Sequence, residues 1–391
     1  MHSSSPDVLR VLTVAHNAVA ASNRQRSDAL AARPDVKVAL LTPPWWHEEG
    51  RRIDVPRAAS WRVGRTLMTG NGTRHVYVGG LVEALRAARP DVIDLYEEPF
   101  SLVALQTLLL RDLLAPRAAL VFYSAVNVER RWRWPYRAIE RLVLSRADGA
   151  YAPNQDVPLI LRAKGFPKAK PVAVIPLGVE AERFAAAERQ PLRDIAGPRV
   201  GFVGRLEAVK GLDVLLQACE NYLVHPTAGL VIAGDGAERA ALSERVMAAR
   251  RRVDLLPPVS YDHMPAFLKS LDVLVLPSVT ILPHHREQFG RVLVEAMATG
   301  VPVVGSSSGA IPEVIGDAGL VVPERDPAAL AQAIDRVLSE PGLRQTLIER
   351  GRQRVQGHFA WPVVAEHTLD LFRAAVAYRH QARAGLQMVN A

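Results

Sequence analysis

RVGFVG, residues 199–204, opens a second run of strand and helix, and its reading decides the fold. An apolar strand ending in glycine is followed by an amphipathic segment over 211–223 and by another buried run, LVIAG at 230–234. The alternation continues through a helix at 237–251, VDLLPPV, a helix at 262–270, DVLVLP (272–277), a helix at 290–299, PVVGS (302–306) and GLVVP (319–323). Near-continuous apolar strands spaced by helices read as a parallel sheet covered on both faces. Three helical segments, 326–339, 343–357 and 361–382, close the chain.

Working back from residue 199, the same pattern fills the first half. VLRVLTVA (8–15), a helix at 22–33 and VKVALLT (36–42) come first, then an irregular stretch holding Trp45 and Trp46. A helix near 79–88, DVIDLY (91–96), a helix near 101–114, AALVFYS (118–124) and VAVIPLGV (172–179) follow. The next stretch, EAERFAAAERQPLRDIAGP, carries prolines, a glycine and mixed charge but no strand, and it reads as a boundary. The expected architecture is α/β, with two Rossmann-like doubly wound domains at 1–180 and 199–360, a linker at 181–198 and a C-terminal helix at 361–391. Two such halves in one chain face a cleft and place a ligand there, outside the carboxyl ends of their strands.

A chain of 391 residues has ample length for two or three cores, and 49% hydrophobic with 23% charged residues is ordinary globular composition. The charge is a formal +8, almost wholly arginine, because only Lys37, Lys164, Lys168, Lys170, Lys210 and Lys269 are lysine. Such an excess favours anionic partners: nucleic acid, an acidic membrane surface or phosphate-bearing small molecules. No zinc finger, RNP-type aromatic strand or lysine-rich tail accompanies it, so nucleic acid is not an expected partner. Cys219 is the single cysteine, which excludes an intramolecular disulfide and a multi-cysteine zinc site and suits a reducing compartment. The first residues lack a basic stretch followed by an apolar core, and the apolar run at 102–115 is broken by Gln106, Arg111 and Asp112. A cytoplasmic chain that does not span a membrane is expected.

The segment richest in chemistry is EQFGRVLVE, Glu287 to Glu295, followed by AMATGVPVVGSSSGAIPEVIG. Glu287 falls in a loop before a helix whose first turn reads Phe289-Gly290-Arg291, and Glu295 lies further along. Glycine permits close backbone approach, and the unpaired N–H groups of a first turn are a ready phosphate site. The two carboxylates could grip hydroxyls at either end of a sugar nucleotide. The bland alternative is that both are solvated charges on a helix surface.

Here the chain resembles the retaining glycosyltransferase family 4, the glycosyl transferases group 1, whose members share the GT-B fold. The resemblance rests on Glu287-x7-Glu295, then Gly300-Val-Pro302 and Gly309-Ala310-Ile-Pro312-Glu313, with VGRLEAVKGLDVLLQA (203–218), AGDGAERAAL (233–242) and IPLGVEAERF (175–184) before them. The N-terminal half matches in strand–helix pattern and in short pieces such as RPDVIDLYEEPFS. The resemblance implies a transfer of sugar from a UDP-, GDP- or dTDP-linked donor to an acceptor hydroxyl, and no cofactor beyond that donor. Arg205 and Lys210, after Gly204 at a strand end, would bind the donor diphosphate; the alternative is surface ion pairing with Glu207 or Asp213. Glu295 would accept hydrogen bonds from the ribose, Glu287 would hold hydroxyls of the transferred sugar, and Phe289, Gly290, Arg291 and Val292 would offer backbone amides. In the mechanism implied, the acceptor attacks on the leaving-group face and a departing phosphate oxygen takes its proton, so catalysis is mostly positioning and electrostatics. The last segment, FAWPVVAEHTLDLFRAAVAYR, resembles the family's final helix, which packs back on the N-terminal domain.

Two features depart from the family. The histidine many members carry after the fourth N-terminal strand would fall at Val126 or Asn127, and the glycine-rich loop after the first strand is replaced by AHNAVAASNRQR. That loop offers His16, Asn17, Ser22, Asn23 and Arg24 for acceptor or phosphate contact, or is a plain strand-to-helix connection. No Asp-x-Asp pair occurs and His284-His285 lacks a third ligand at usual spacing, so no metal is expected. In 128–146, Arg130, Arg131, Arg133, Arg137 and Arg141 interleave with Trp132, Trp134 and Tyr136. This reads as a core-packed helix with a basic solvated end, or as peripheral contact with anionic lipid. Acceptors in polysaccharide or glycolipid assembly and small metabolites such as aminoglycosides both fit. An epimerase acting on the donor alone, and a non-catalytic basic protein, are the other readings.

Overall fold

The computed structural model describes residues 8–48, 51–56, 58–189 and 197–389. The chain forms two compact units, one from the residues up to Ile175 together with those from Val364, the other from Pro176 to Val363.

The first unit is built on a seven-stranded sheet in the order Val172–Val174, Gly149–Ala152, Ala119–Tyr123, Val92–Leu95, Leu9–Val14, Val36–Thr42, Arg62–Val63. Its neighbouring strands all pair in parallel. Leu12, Val14, Ile93, Leu95, Leu120 and Phe122 are buried along successive strands, which is why these runs are apolar without alternation. The chain starts on Leu9–Val14, builds outward to one side and then returns to Val92–Leu95 on the other, so the order reverses between these two strands. In open α/β sheets such a reversal leaves a crevice at the strands' carboxyl ends. The stretch after Val36–Thr42, read as irregular from sequence, holds two antiparallel hairpins: Trp45–Glu48 with Arg51–Asp54, and Arg65–Leu67 with Val76–Gly79. Their strands, three or four residues each, are too short to show an apolar period.

The helix Trp361–Val389 supplies the rest of this unit. Leu369 and Phe372 are fully buried, Arg373 meets the Asp35 carboxylate at 2.6 Å, and Arg33 pairs with Glu366.

The second unit has a six-stranded parallel sheet in the order Val253–Leu256, Gly229–Ala233, Arg199–Val203, Val273–Leu276, Val303–Ser306, Gly319–Val322. Phe202, Ile232, Leu274, Leu293, Val304 and Ile334 are fully buried in its core. Here the order reverses between Arg199–Val203 and Val273–Leu276. Of the linker expected at 181–198, Ala181–Ala185 is helical with Phe184 buried, and residues 190–196 lie outside the described residues. Among the described residues no helix is long and apolar enough to cross a membrane.

Candidate functional site

The reversal in the second unit is where its polar side chains converge. After Arg199–Val203 the chain passes Gly204 and Arg205, makes a short 3-10 turn at Ala208–Lys210 and enters the helix Leu212–Asn221 through Gly211. Gly211 has φ +68, and a Cβ there would fall 1.9 Å from the Pro277 carbonyl oxygen. Only glycine therefore lets this turn approach the end of Val273–Leu276 so closely. The approach brings Lys210 to Glu287, 77 residues away: Nζ donates to Oε2 at 2.6 Å, and Ser278 Oγ donates to the same oxygen at 2.7 Å.

Glu287 and Glu295 are each only 6% exposed, which removes the reading of both as solvated charges. Burial pushes the Glu287 carboxyl up, but the Lys210 ammonium and the hydrogen bonds from Lys210 and Ser278 outweigh it and hold it below the ordinary value. Its backbone is fixed too, since Ala310 N–H donates to the Glu287 carbonyl at 2.9 Å. Gly309, at φ +52, allows this, because a Cβ would lie 2.1 Å from the same oxygen. Nearby His285 is half-buried, and desolvation pulls its imidazole below the ordinary value, with the Lys210 and Arg205 cations adding to the effect against the opposing pull of Glu287.

The other expected site residues fall around this pair with three differences. The helix starts at Arg291 with Gly290 as its cap, so Phe289 stands outside the first turn and is buried against Phe359, ring centroids 5.9 Å apart. Arg291 and Val292 are half-buried at the amino end, where N–H groups lack intrahelical acceptors. Arg205 is exposed and donates to Glu207 at 2.7 Å, the ion pair held as its alternative, while Asp213 is taken by Arg245. Asn17 lies in the first unit, opening the 3-10 turn Asn17–Val19, and its carbonyl accepts from Asn23 Nδ2 at 3.2 Å.

The first unit has a polar cluster of its own that sequence reasoning named only through His16. Glu97 is buried and accepts from the His16 backbone N–H at 3.0 Å and from His16 Nδ1 at 2.6 Å. His75, also buried, sets its Nε2 3.6 Å from Glu97 Oε1. Burial alone raises the Glu97 carboxyl, yet the two imidazoles bring it down to about 2. Burial lowers His75, and Glu97 reverses this so that the imidazole ends above its ordinary value. The adjacent Glu98 is pushed up to about 7 by burial, against hydrogen bonds from the Ala125 N–H at 2.8 Å and Ser124 Oγ at 2.7 Å. Among the described residues, His16, His75 and Glu97 form the one group with the chemistry of metal ligands. In the 128–146 stretch Ile139, Val143 and Leu144 are buried and the five arginines exposed, with Trp132 packed on Phe100 and Trp134 outward.

Comparison with known proteins adds to this geometry. Residues 186–354 match the family described as Glycosyl transferases group 1. An uncharacterized glycosyltransferase of Methanocaldococcus jannaschii is 36% identical over 179 residues, 45% of this chain and 44% of the relative. The D-inositol 3-phosphate glycosyltransferase of Acidothermus cellulolyticus is 36% identical over 230 residues, 54% of this chain and 50% of the relative. The chain thus spans about half the length of the curated relatives it matches. Among solved structures, a glycosyltransferase from Rickettsia africae superposes with TM-score 0.71 at 16% identity, covering 94% of this chain and 98% of that one. Anabaena HepE in complex with UDP-glucose gives 0.66 at 17%, covering 93% and 99%. Sucrose-phosphate synthase from Thermosynechococcus elongatus gives 0.65 at 23%, covering 94% and 99%. The two parallel-sheet units are therefore those of the GT-B glycosyltransferase fold, with the group 1 family match falling on the second unit.

Proposed function

We propose that this protein is a metal-independent, retaining glycosyltransferase of the family 4 type, taking a nucleotide-diphosphate sugar in its second unit and an acceptor hydroxyl in its first. The observation that carries the reading is the buried Lys210–Glu287 pair at the reversal of the second sheet, beside the amino end of Arg291–Thr299. A diphosphate brings at least two negative charges and gains more on the leaving oxygen as the glycosidic bond breaks. Lys210, the N–H groups at Arg291 and Val292, and Arg205 after release from Glu207 supply fixed positive potential for that charge. Glu287, ionised and fixed in place, accepts from sugar hydroxyls, and Glu295 on the same helix accepts from the ribose.

HepE was solved with UDP and with UDP-glucose, which makes a uridine-linked donor the first to test here. The acceptor is assigned to polysaccharide or glycolipid assembly, and exposed Trp134 with its flanking arginines to peripheral contact with an anionic membrane at the cytoplasmic face. A thermal-shift panel of UDP-, GDP- and dTDP-sugars, with and without EDTA, tests the donor. One nucleotide is expected to raise Tm equally in both conditions, and Lys210→Ala is expected to lose that shift. A panel in which none of them stabilises the protein refutes the reading. Retention is checked by NMR, the product anomer matching the donor's.

A further inference from the structure

His16, His75 and Glu97 reach one another from three separate places in the first unit. His16 lies just past Leu9–Val14, Glu97 just past Val92–Leu95, and His75 immediately before the hairpin strand Val76–Gly79. They stand too far apart in the sequence to form a metal-binding spacing, so no metal was expected from it. We propose that the three side chains are the ligands of a divalent transition ion of the zinc type, held by Glu97 Oε1, His75 Nε2 and His16 Nδ1, which pins the hairpin to the ends of two sheet strands. The inference does not rest on the transferase reading, and the ion takes no part in the transfer assigned to the second unit.

The hydrogen on the His75 ring sits at Nδ1, because that atom lies 3.1 Å from the Asn71 carbonyl oxygen, which can only accept. Nε2 of the neutral ring then presents a lone pair. It is buried, makes no hydrogen bond and faces Glu97 Oε1 at 3.6 Å. A buried lone pair set against a carboxylate is unfavourable unless a cation lies between them. A proton bridges nitrogen and oxygen at about 2.7–3.2 Å, whereas two ligands on one tetrahedral zinc, with bonds of about 2.0–2.2 Å, stand roughly 3.4 Å apart. The spacing is that of co-ligands. An imidazole that donates one N–H to a backbone carbonyl and leaves its other nitrogen bare is also the arrangement by which metal-bound histidines are oriented.

The ligand atoms of all three side chains lie within 4.8 Å of one another. Glu97 Oε1 is steadied by the His16 backbone N–H at 3.0 Å, as ligating carboxylates are. His16 Nδ1 is 2.6 Å from Glu97 Oε2, where a proton joins them; the ion takes that proton's place, releases it to solvent and widens the gap by under about 1 Å. Without the ion the same groups are joined by protons and titrate as free side chains. Trp46 packs on both imidazoles, at 4.2 and 5.0 Å between centroids, and His16, whose side chain is 23% exposed, gives the way in. Tyr77 Oη is a second buried atom here without a hydrogen bond, and burial together with the Glu97 charge pushes its phenol well above the ordinary value. Three protein ligands leave a fourth position for water, and this protonated phenol is a donor for it. Magnesium and calcium suit the site poorly, since they take oxygen ligands.

The test uses the full chain, stripped with a chelator and dialysed against zinc chloride, with metal per chain measured by mass spectrometry. About one zinc per chain is expected, not displaced by excess magnesium, and it should raise Tm without changing the further rise caused by nucleotide. His75→Ala and Glu97→Gln should each bind zinc at least about a hundredfold more weakly, while His284→Ala combined with His285→Ala should bind it as wild type does. Cobalt(II) supplies a signature that packing does not: visible absorption bands of a four-coordinate site in wild type, absent from His75→Ala. Less than stoichiometric zinc in wild type, equal binding in His75→Ala, or loss of binding in the His284, His285 variant each overturn the proposal. Near-ultraviolet circular dichroism shows which variants fold; should His75→Ala fail to, His16→Ala at the open edge carries the test, with zinc at least about tenfold weaker expected and unchanged affinity overturning the site.

Discussion

Lys210 and Arg205 sit five residues apart in one loop and differ in what their removal costs. Lys210→Ala leaves Glu287 buried without its cation, which costs about 3–5 kcal/mol of stability. Arg205 is 48% exposed, so Arg205→Ala is expected to cost under about 1 kcal/mol of stability. Urea unfolding of the two variants checks this; equal stability losses would contradict the placement. The Glu97–His75 pair gives a pH signature. Glu97 is held at about 2 against an ordinary 4.5, so its contribution is present above 4.5 and lost as pH falls through about 2. His75 is raised above 6.5, so its contribution is full below 6.5 and lost as pH rises through the folded value. The pair stabilises most between 4.5 and 6.5, and the stability gap between wild type and His75→Phe should narrow as pH rises from 6 to 9. A gap constant across that range would show that His75 acts by packing alone.

At the scale of elements, the loop carrying Glu287 depends on the glycine that lets it close. Gly309→Ala forces the new Cβ against the Glu287 carbonyl at a positive φ and should cost about 1–3 kcal/mol while weakening nucleotide binding. Gly72→Ala, where nothing lies within 4 Å, is the control and should be silent in both calorimetry and nucleotide titration. The elements were legible because buried parallel strands such as LVIAG and DVLVLP are apolar throughout. Lys210 and Glu287 were legible as residues, through a resemblance, but their bond was not, since it depends on which strands become neighbours. His75 and Glu97 were missed for the same reason. One follows a turn before a short hairpin strand, the other lies two residues past a buried strand, and only the reversal of sheet order and the hairpin fold bring them to His16. The strand–helix phase of RPDVIDLYEEPFS was read, while the polarity of its two glutamates just past a buried strand was the unused signal.

At the scale of the molecule, two cores in one chain should unfold in two steps. Ending the chain after Val363 removes the helix that places Leu369 and Phe372 in the first core. Calorimetry of that truncation should lose the first unit's transition and keep the second's, together with its response to nucleotide; loss of both would mean the units do not fold independently. The same helix sets an order of events during synthesis. The strands of the first sheet and most of their helical cover emerge from the ribosome early, yet part of that unit, Leu369 and Phe372 included, is encoded from Val364 onward, after the whole of the second unit. The later unit can finish folding while the earlier one still lacks its last helix, which inverts the usual N-terminal-first sequence of domain folding. In the cell, that interval is when this chain has most need of a chaperone.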